Sequence, residues 1–295
     1  MITTSKGLKF TRYWVGVCSL TGGEGCMASE VMIPKRVMFK GKVFEIGEYA
    51  FSNNSQVKRV VIPEGVEEIG AYAFANCKNL ETVQLPQSLS AIGRGAFMHC
   101  QKLKRIVLPP HVVSIAPKTF AHCCSLEHID LRHIRYIGES AFVGCKSLED
   151  IVIGEALKEI HATSFCGSKY YTHHLKQKDG IVYLENWVIG CAEPTGEYIM
   201  KRDTIGIADG VFTKETHMKR TINPQYYEEM AYYRLSLEIP QLPFNGIPQA
   251  YFEEVLPATI HYEGTIAEWK KMKLPVEKRI PAHVVAEDGA FDTYL

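Results

Sequence analysis

The chain has no long apolar run and no excess charge of either sign. Of its 295 residues, 33 are Lys or Arg and 33 are Asp or Glu, so the formal net charge is zero. A balanced chain does not coat nucleic acid or anionic lipid by bulk electrostatics, so no nucleic-acid partner is expected. No run of about 18 apolar residues is present, and no membrane insertion is expected. The opening Met1-Ile2-Thr3-Thr4-Ser5-Lys6-Gly7 lacks the basic start and apolar stretch of a secretory leader. On those residues alone the expected location is cytoplasmic.

Chemical motifs are missing as well. There is no Gly-x-Ser-x-Gly elbow, no His-Glu-x-x-His and no Cys-x-x-Cys. Gly93-x-Gly95 lacks the rest of a phosphate-loop fingerprint. No catalytic residue, cofactor site or metal site is therefore expected. The nine cysteines are an odd number, so at least one is unpaired within a monomer.

What the chain does have is a period. Ala50-Phe51, Ala73-Phe74, Ala96-Phe97, Thr119-Phe120, Ala141-Phe142 and Ser164-Phe165 recur at intervals of 23, 23, 23, 22 and 23 residues. Upstream of each pair stands Ile46, Ile69, Ile92, Ile115, Ile137 or Ile160, usually followed by Gly. Gly here is expected to permit a sharp turn into the Ala-Phe segment. Downstream comes a strand motif: Val57-x-x-Val60-x-Ile62, Leu80-x-x-Val83-x-Leu85, Leu103-x-x-Ile106-x-Leu108, Leu126-x-x-Ile129-x-Leu131 and Leu148-x-x-Ile151-x-Ile153. The last two apolar residues of each motif are two apart and share a face. Pro63, Pro86 and Pro109 end three of these strands, because proline donates nothing to a ladder. One turn cannot bury its apolar face alone; stacked turns bury it in a continuous column. The period predicts a repeat solenoid, mainly β with short helical or 3-10 turns.

Leu-x-x-Ile-x-Leu-Pro followed by Val-x-x-Ile-Gly-x-x-Ala-Phe-x-x-Cys resembles the BspA-like leucine-rich repeat family, over residues 43–168. The Asn slot of ordinary leucine-rich repeats is lost, with Gly65 and Ser88 in its place, and a second apolar stretch follows, as in Val66-x-x-Ile69 and Leu89-x-x-Ile92. The resemblance implies a right-handed superhelix of leucine-rich turns, each carrying a second short strand rather than a long helix. It also implies protein binding or cell adhesion as the role, and display at the cell surface or secretion, against the location read from the residues.

Residues 1–42 are expected to form an N-terminal β cap, with a strand at Glu30-Val31-Met32-Ile33-Pro34 and a hairpin-like insert through Lys40-Gly41-Lys42. Residues 43–168 hold the repeats. Residues 169–212 read as a β-hairpin insert (Lys178 to Leu184, then Trp187 to Gly190) and a resumed repeat ending at Phe212. Residues 213–295 read as degenerate repeats and a C-terminal cap. A helix starting at Asn223-Pro224 would carry Tyr226, Tyr227, Tyr232 and Tyr233, as packing or as a second contact surface. Tyr262-x-Gly264-Thr265-x-x-Glu268-Trp269 resembles the segment that closes many such arrays, with Thr265 and Glu268 as a capping box and Trp269 covering the core. Ala282-His283-Val284-Val285 reads as an edge strand.

Cys77, Cys100, Cys123 and Cys145 each stand three residues after a repeat Phe, which predicts a ladder of small buried side chains. The competing zinc reading rests on His99-Cys100 beside His122-Cys123-Cys124. The candidate partner-binding face comprises the two outward positions of each strand. One column reads Arg59, Thr82, Arg105, His128, Asp150, running from basic to acidic. The other reads Val61, Gln84, Val107, Asp130, Val152, half of it apolar, where a merely solvated face would be more uniformly charged. His128 would make binding there pH-sensitive. The expected role is a non-catalytic module presenting this face to a protein or other macromolecule. The alternatives are a scaffold subunit of a larger assembly and, more remotely, a metal-binding protein or enzyme.

Overall fold

Each period folds as one turn carrying two short strands, a rigid Ala-Phe corner and two tight bends. The structure, a computed structural model, describes residues 2–3, 7–14, 17–23, 25–37, 41–176, 180–192, 197–211, 258–273 and 282–292. They form two compact units, Met1–Ile160 with Ser164–Thr172, and His161–Thr163 with His173–Leu295. The helix expected from Asn223 and its tyrosines lie outside the described residues, as does Phe212.

The first unit opens with β1 (Ile2–Thr3), β2 (Lys9–Trp14) and β3 (Val17–Gly22), paired antiparallel in that order. Then follow β4 (Glu30–Met32), β5 (Arg36–Val37) and β6 (Gly41–Ile46). β5 and β6 pair antiparallel, as the Lys40-Gly41-Lys42 insert suggested. From here first and second strands alternate along the chain except at β10 and β11, both second strands: β7 (Arg59–Val61), β8 (Glu68–Ile69), β9 (Thr82–Gln84), β10 (Ala91–Ile92), β11 (Ser114–Ile115), β12 (His128–Leu131), β13 (Tyr136–Ile137), β14 (Asp150–Ile153) and β15 (Glu159–Ile160). First strands stack in parallel as β4-β7-β9 and β12-β14; second strands stack as β6-β8-β10 and β11-β13-β15. The register is in phase, so Val60 faces Val83 and Ile129 faces Ile151. The second strands from β8 to β15 are two residues long, as the second apolar stretch predicts.

Six phenylalanines fill the centre. Phe51, Phe74, Phe97, Phe120, Phe142 and Phe165 are all fully buried. Their rings stack with centroids 5.0, 5.3, 5.6, 5.4 and 5.2 Å apart and planes within 13°. The Ala-Phe corner holds this spacing by alternating its N–H groups. Those of Tyr49, Phe51 and Asn53 donate to Ala71, Ala73 and Ala75 of the next turn, and those of Ala50, Ser52 and Asn54 donate three residues back. The latter is the 3-10 bond pattern.

The glycines after the repeat Ile have a different cause from the one their position suggests. They are not in the left-handed region. A Cβ on Gly70, Gly93 or Gly138 would lie 2.7, 2.6 or 2.8 Å from a backbone nitrogen of the preceding turn, so glycine is required by close stacking. The left-handed residues flank the Phe instead. Tyr49, Tyr72, Gly95, Lys118 and Ser140 stand two before it, and Asn53, Asn76, His99, His122 and Gly144 two after it. Asn, His and Gly are among the residues that tolerate that conformation best.

One seam departs from the pattern. Gly47, Gly70, Gly93 and Gly138 each donate to the second strand of the turn before, at 2.7 to 2.9 Å. Among the described residues, no such bond joins Ala116 to Ile92, and none joins Leu85 to Val107 in the first strands. The segment Arg105-Ile106-Val107 belongs to no ladder, although its sequence motif is intact. The corner still bonds across the seam, through Gly95 to Pro117, Phe97 to Thr119 and His99 to Ala121. Nearby, Pro110 has no N–H to give, whereas its counterpart Gln87 donates to Glu64 Oε1 at 3.0 Å.

After Phe165 comes a short helix, α1 (Lys169–His174), with Ser168 Oγ accepting from the Tyr171 N–H. In the second unit β16 (Ile181–Leu184) and β17 (Trp187–Cys191) form the expected antiparallel hairpin. Next come β18 (Glu197–Met200) and β19 (Gly206–Ile207), the latter parallel to β17, with Ile207 and Val211 buried. β20 (Ala258–Tyr262) precedes α2 (Ile266–Trp269), whose capping box is complete: Thr265 Oγ1 accepts from the Glu268 N–H, and the Glu268 carboxylate accepts from the Thr265 N–H. Trp269 is buried. The segment expected as an edge strand, β21 (Ala282–Ala286), is interior. The sheet order is β18-β20-β21-β22, because a turn at Glu287-Asp288 brings β22 (Gly289–Asp292) back onto it.

Candidate partner-binding face

The outward positions of the first strands form the two expected columns in part. Register places Arg59 beside Thr82 and Val61 beside Gln84. Farther along, His128 stands beside Asp150 and Asp130 beside Val152. Arg105 and Val107 lie between these two sheets without ladder partners, so the columns are interrupted where the sequence runs on unbroken. β4 extends both columns by one turn, with Glu30 beside Arg59 and Met32 beside Val61. Sequence reasoning missed these two because β4 has no Phe landmark upstream, although the run Glu30 to Pro34 was legible as a strand end.

The acidic end of the face is satisfied internally. His128 Nδ1 lies 2.7 Å from Asp150 Oδ2. Arg132 donates to Asp130 through Nε and Nη2, the latter at 2.6 Å, and holds the Asp130 carboxyl down to about 2. The basic end is not. Among the described residues, Arg59 and Arg105 form no salt bridge, though Glu30 is the register neighbour of Arg59. The apolar positions differ sharply in exposure. Val107 is 82% exposed and Met32 70%, whereas Val61 and Val152 are half-buried.

The cysteine column lies on the other side of the strands. Cys77, Cys100, Cys123 and Cys145 are buried, and each thiol donates to the carbonyl of the Phe in the preceding turn, Phe51, Phe74, Phe97 and Phe120, at 3.1 to 3.2 Å. At the first turn Asn54 holds the same place, and its Nδ2 donates to the Gly23 and Cys26 carbonyls. Burial pushes the Cys77 thiol up to about 12 and raises those of Cys100, Cys123 and Cys145. The His99 and His122 rings stack on each other at 4.6 Å instead of converging with the thiols. Among the described residues no group of three or more His, Cys, Asp or Glu is placed to hold a metal. Because the thiolate is the reactive form, brief alkylation of native protein is expected to spare these four thiols and label the half-exposed Cys124 well before them. Mass spectrometry reads the sites; native-state labelling of Cys100 at the rate seen in denaturant would contradict it.

No described helix is long and apolar enough to cross a membrane. Residues 44–172 match the model of the BspA type leucine rich repeat region, in six copies. No curated protein matches the chain significantly. Among solved structures, the chain is similar to a leucine-rich repeat protein of T. pallidum, with 23% identity, a TM-score of 0.50, and 60% of this chain and 96% of that one covered. It is also similar to a leucine rich cell surface protein of Faecalibacterium prausnitzii, with 19% identity, a TM-score of 0.52, and coverage of 72% and 73%. A leucine-rich repeat protein of Bacteroides ovatus gives 24% identity, a TM-score of 0.50, and coverage of 70% and 60%. At these identities the likeness concerns the fold. The six matched copies fall on the stacked turns whose Phe, Cys and Ile columns are described above, and residues 44–172 are a BspA-type leucine-rich repeat region.

Proposed function

We propose that the protein is a non-catalytic binding module whose first-strand face docks a protein or other macromolecule. The exposure of Val107 and Met32 on that face carries the reading. Apolar side chains left this open, Val107 two residues from Arg105 and Met32 on β4, are what a contact surface requires. The family and the fold support a binding role. A scaffold role would use the same face against a permanent neighbour. The F. prausnitzii structure is that of a cell surface protein, and display outside the cell is the location proposed here. Protease treatment of intact cells checks it: protection of the protein until lysis would place it inside.

The docking test compares wild type with a Met32→Asp/Val107→Asp variant as bait for extracts of the native organism. A genuine partner is captured by the first and lost, by about tenfold or more, with the second. Capture that is indifferent to both substitutions would remove this face from the function.

A further inference from the structure

We infer that the segment this face accepts is an acidic, extended peptide, its carboxylates received by Arg59 and Arg105 and an apolar side chain laid against Val107. The inference rests on the docking reading above. It begins from how the charges of the face are already spent. Asp130 is paired with Arg132, and Asp150 Oδ2 lies 2.7 Å from His128 Nδ1, so each acid of the columns already has a neighbour within the face. Arg59 and Arg105 are exposed and form no salt bridge among the described residues. The residues just before them are Lys58 and Lys104, both exposed, so two tandem basic pairs stand two turns apart. The intervening turn carries Glu81 and Thr82, and β4 adds Glu30. The later turns carry Glu127 and Glu149 in the place of those lysines. The face is polarised, and the half that exposes Met32 and Val107 is the half with unspent cations.

Spacing and backbone narrow the partner further. The phenylalanines of successive turns stack 5.0, 5.3 and 5.6 Å apart, so two arginines two turns apart are rooted roughly 10 Å from each other. A polyproline-type segment repeats a side-chain direction every third residue, about 9.3 Å along its axis. Acidic residues three apart on such a segment would meet both guanidinium groups, each able to take a carboxylate through two N–H donors. The second arginine opens the strip Arg105-Ile106-Val107, whose backbone joins neither neighbouring ladder. An extended peptide brings both carboxylates and apolar side chains to this face; a polyphosphate chain brings charge only. The exposed Val107 side chain then gives an apolar residue of the peptide somewhere to lie.

The experiment uses the full chain and a fluorescent peptide of alternating Val and Pro with Glu at every third position, read by anisotropy. Its counterpart has Lys at each Glu. The Glu peptide is expected to bind at least tenfold tighter than the Lys peptide, to weaken as salt rises, and to lose about tenfold with Arg59→Gln/Arg105→Gln. Equal binding of the two peptides, an unchanged affinity in the arginine variant, or tighter binding of inorganic polyphosphate than of the Glu peptide would each overturn the inference. Both arginines are exposed, so a native circular dichroism spectrum is expected for the variant, and Arg59→Lys/Arg105→Lys, which keeps the charge, should retain most of the binding. The docking reading fails separately. Partner capture lost with Met32→Asp/Val107→Asp but kept with the arginine variant leaves the face standing and overturns the acidic partner. Capture kept with both overturns the face itself.

Discussion

Phe97→Ala is expected to lower the unfolding free energy of the repeat unit by about 3–5 kcal/mol. The ring is fully buried between Phe74 at 5.3 Å and Phe120 at 5.6 Å, with planes within 3° of both. Removing it opens a void that the neighbours cannot close. The turn spacing is set by backbone bonds of the same corner, Phe97 N–H to Thr119 O and Phe74 N–H to Ala96 O, at 2.9 and 2.8 Å. The void therefore persists, and the loss sits at the upper end of the range for large-to-small changes. Gly93→Ala tests the same tightness from the other direction. Its new Cβ would stand 2.6 Å from the Ala71 nitrogen, against backbone that cannot turn aside. A loss of about 1–3 kcal/mol or more follows. By contrast, Gly65 has nothing within 4 Å of the same atom but holds a φ of +99°, so Gly65→Ala tests backbone strain alone. Urea unfolding followed by circular dichroism measures all three. A Phe97→Ala loss below that of Gly65→Ala would mean that the phenylalanine column is not what organises the stack.

Much of this column was legible in the sequence because one residue type recurred at one spacing, and each recurrence has a single geometric meaning. The cysteines were legible for the same reason: position three after Phe is a fixed place in a fixed turn, small and facing a carbonyl. The glycines were found but misread. Sequence shows that a Cβ is absent at Gly70 and Gly93, not whether torsion or a neighbour forbids it, and here the neighbour does. The break at Arg105-Ile106-Val107 was invisible in the apolar pattern, since Leu103, Ile106 and Leu108 are all in place.

The candidate face divides along the same line. Alternation located Arg59, Val61, Thr82 and Gln84, because period two decides which side chains leave the core. It could not say that Asp130 would be taken by Arg132, two residues on and outside both columns, or that Asp150 would turn to His128. Those pairings depend on rotamers and decide which charges remain for a partner. The interior place of β21 was missed for a topological reason. Gly289–Asp292 has too few apolar residues to announce a strand, and it becomes one by folding back across Glu287-Asp288.

The protein is expected to lose stability as pH falls from 6.5 to 4, and His122 is expected to account for much of the loss. Its ring is buried and stacked on His99, with centroids 4.6 Å apart, and it lies over Gly144, where a Cβ would stand 2.3 Å from Nδ1. Burial, then the charges of Lys146 and Lys118, lower its pKa from 6.5 to about 4. In the unfolded chain the imidazole takes a proton near 6.5; in the fold it stays neutral until about 4. Above 6.5 both states are neutral and no penalty exists. Below it the unfolded state binds a proton that the folded state refuses, so stability falls, by up to about 3 kcal/mol once pH reaches the folded value. The position must keep a left-handed backbone, φ 58°, which asparagine accepts, and Asn53 and Asn76 already occupy it in earlier turns, joined by a side-chain hydrogen bond of 3.0 Å. His122→Asn is therefore the informative variant. Urea midpoints taken above pH 6.5 and near pH 4 should differ markedly less in His122→Asn than in wild type, after allowing for the carboxylates common to both. Parallel losses in the two proteins would assign the acid sensitivity elsewhere. A smaller loss in the variant would make the histidine stack, which spans the seam where both sets of strands lack ladder bonds, the part of the solenoid that acid weakens first.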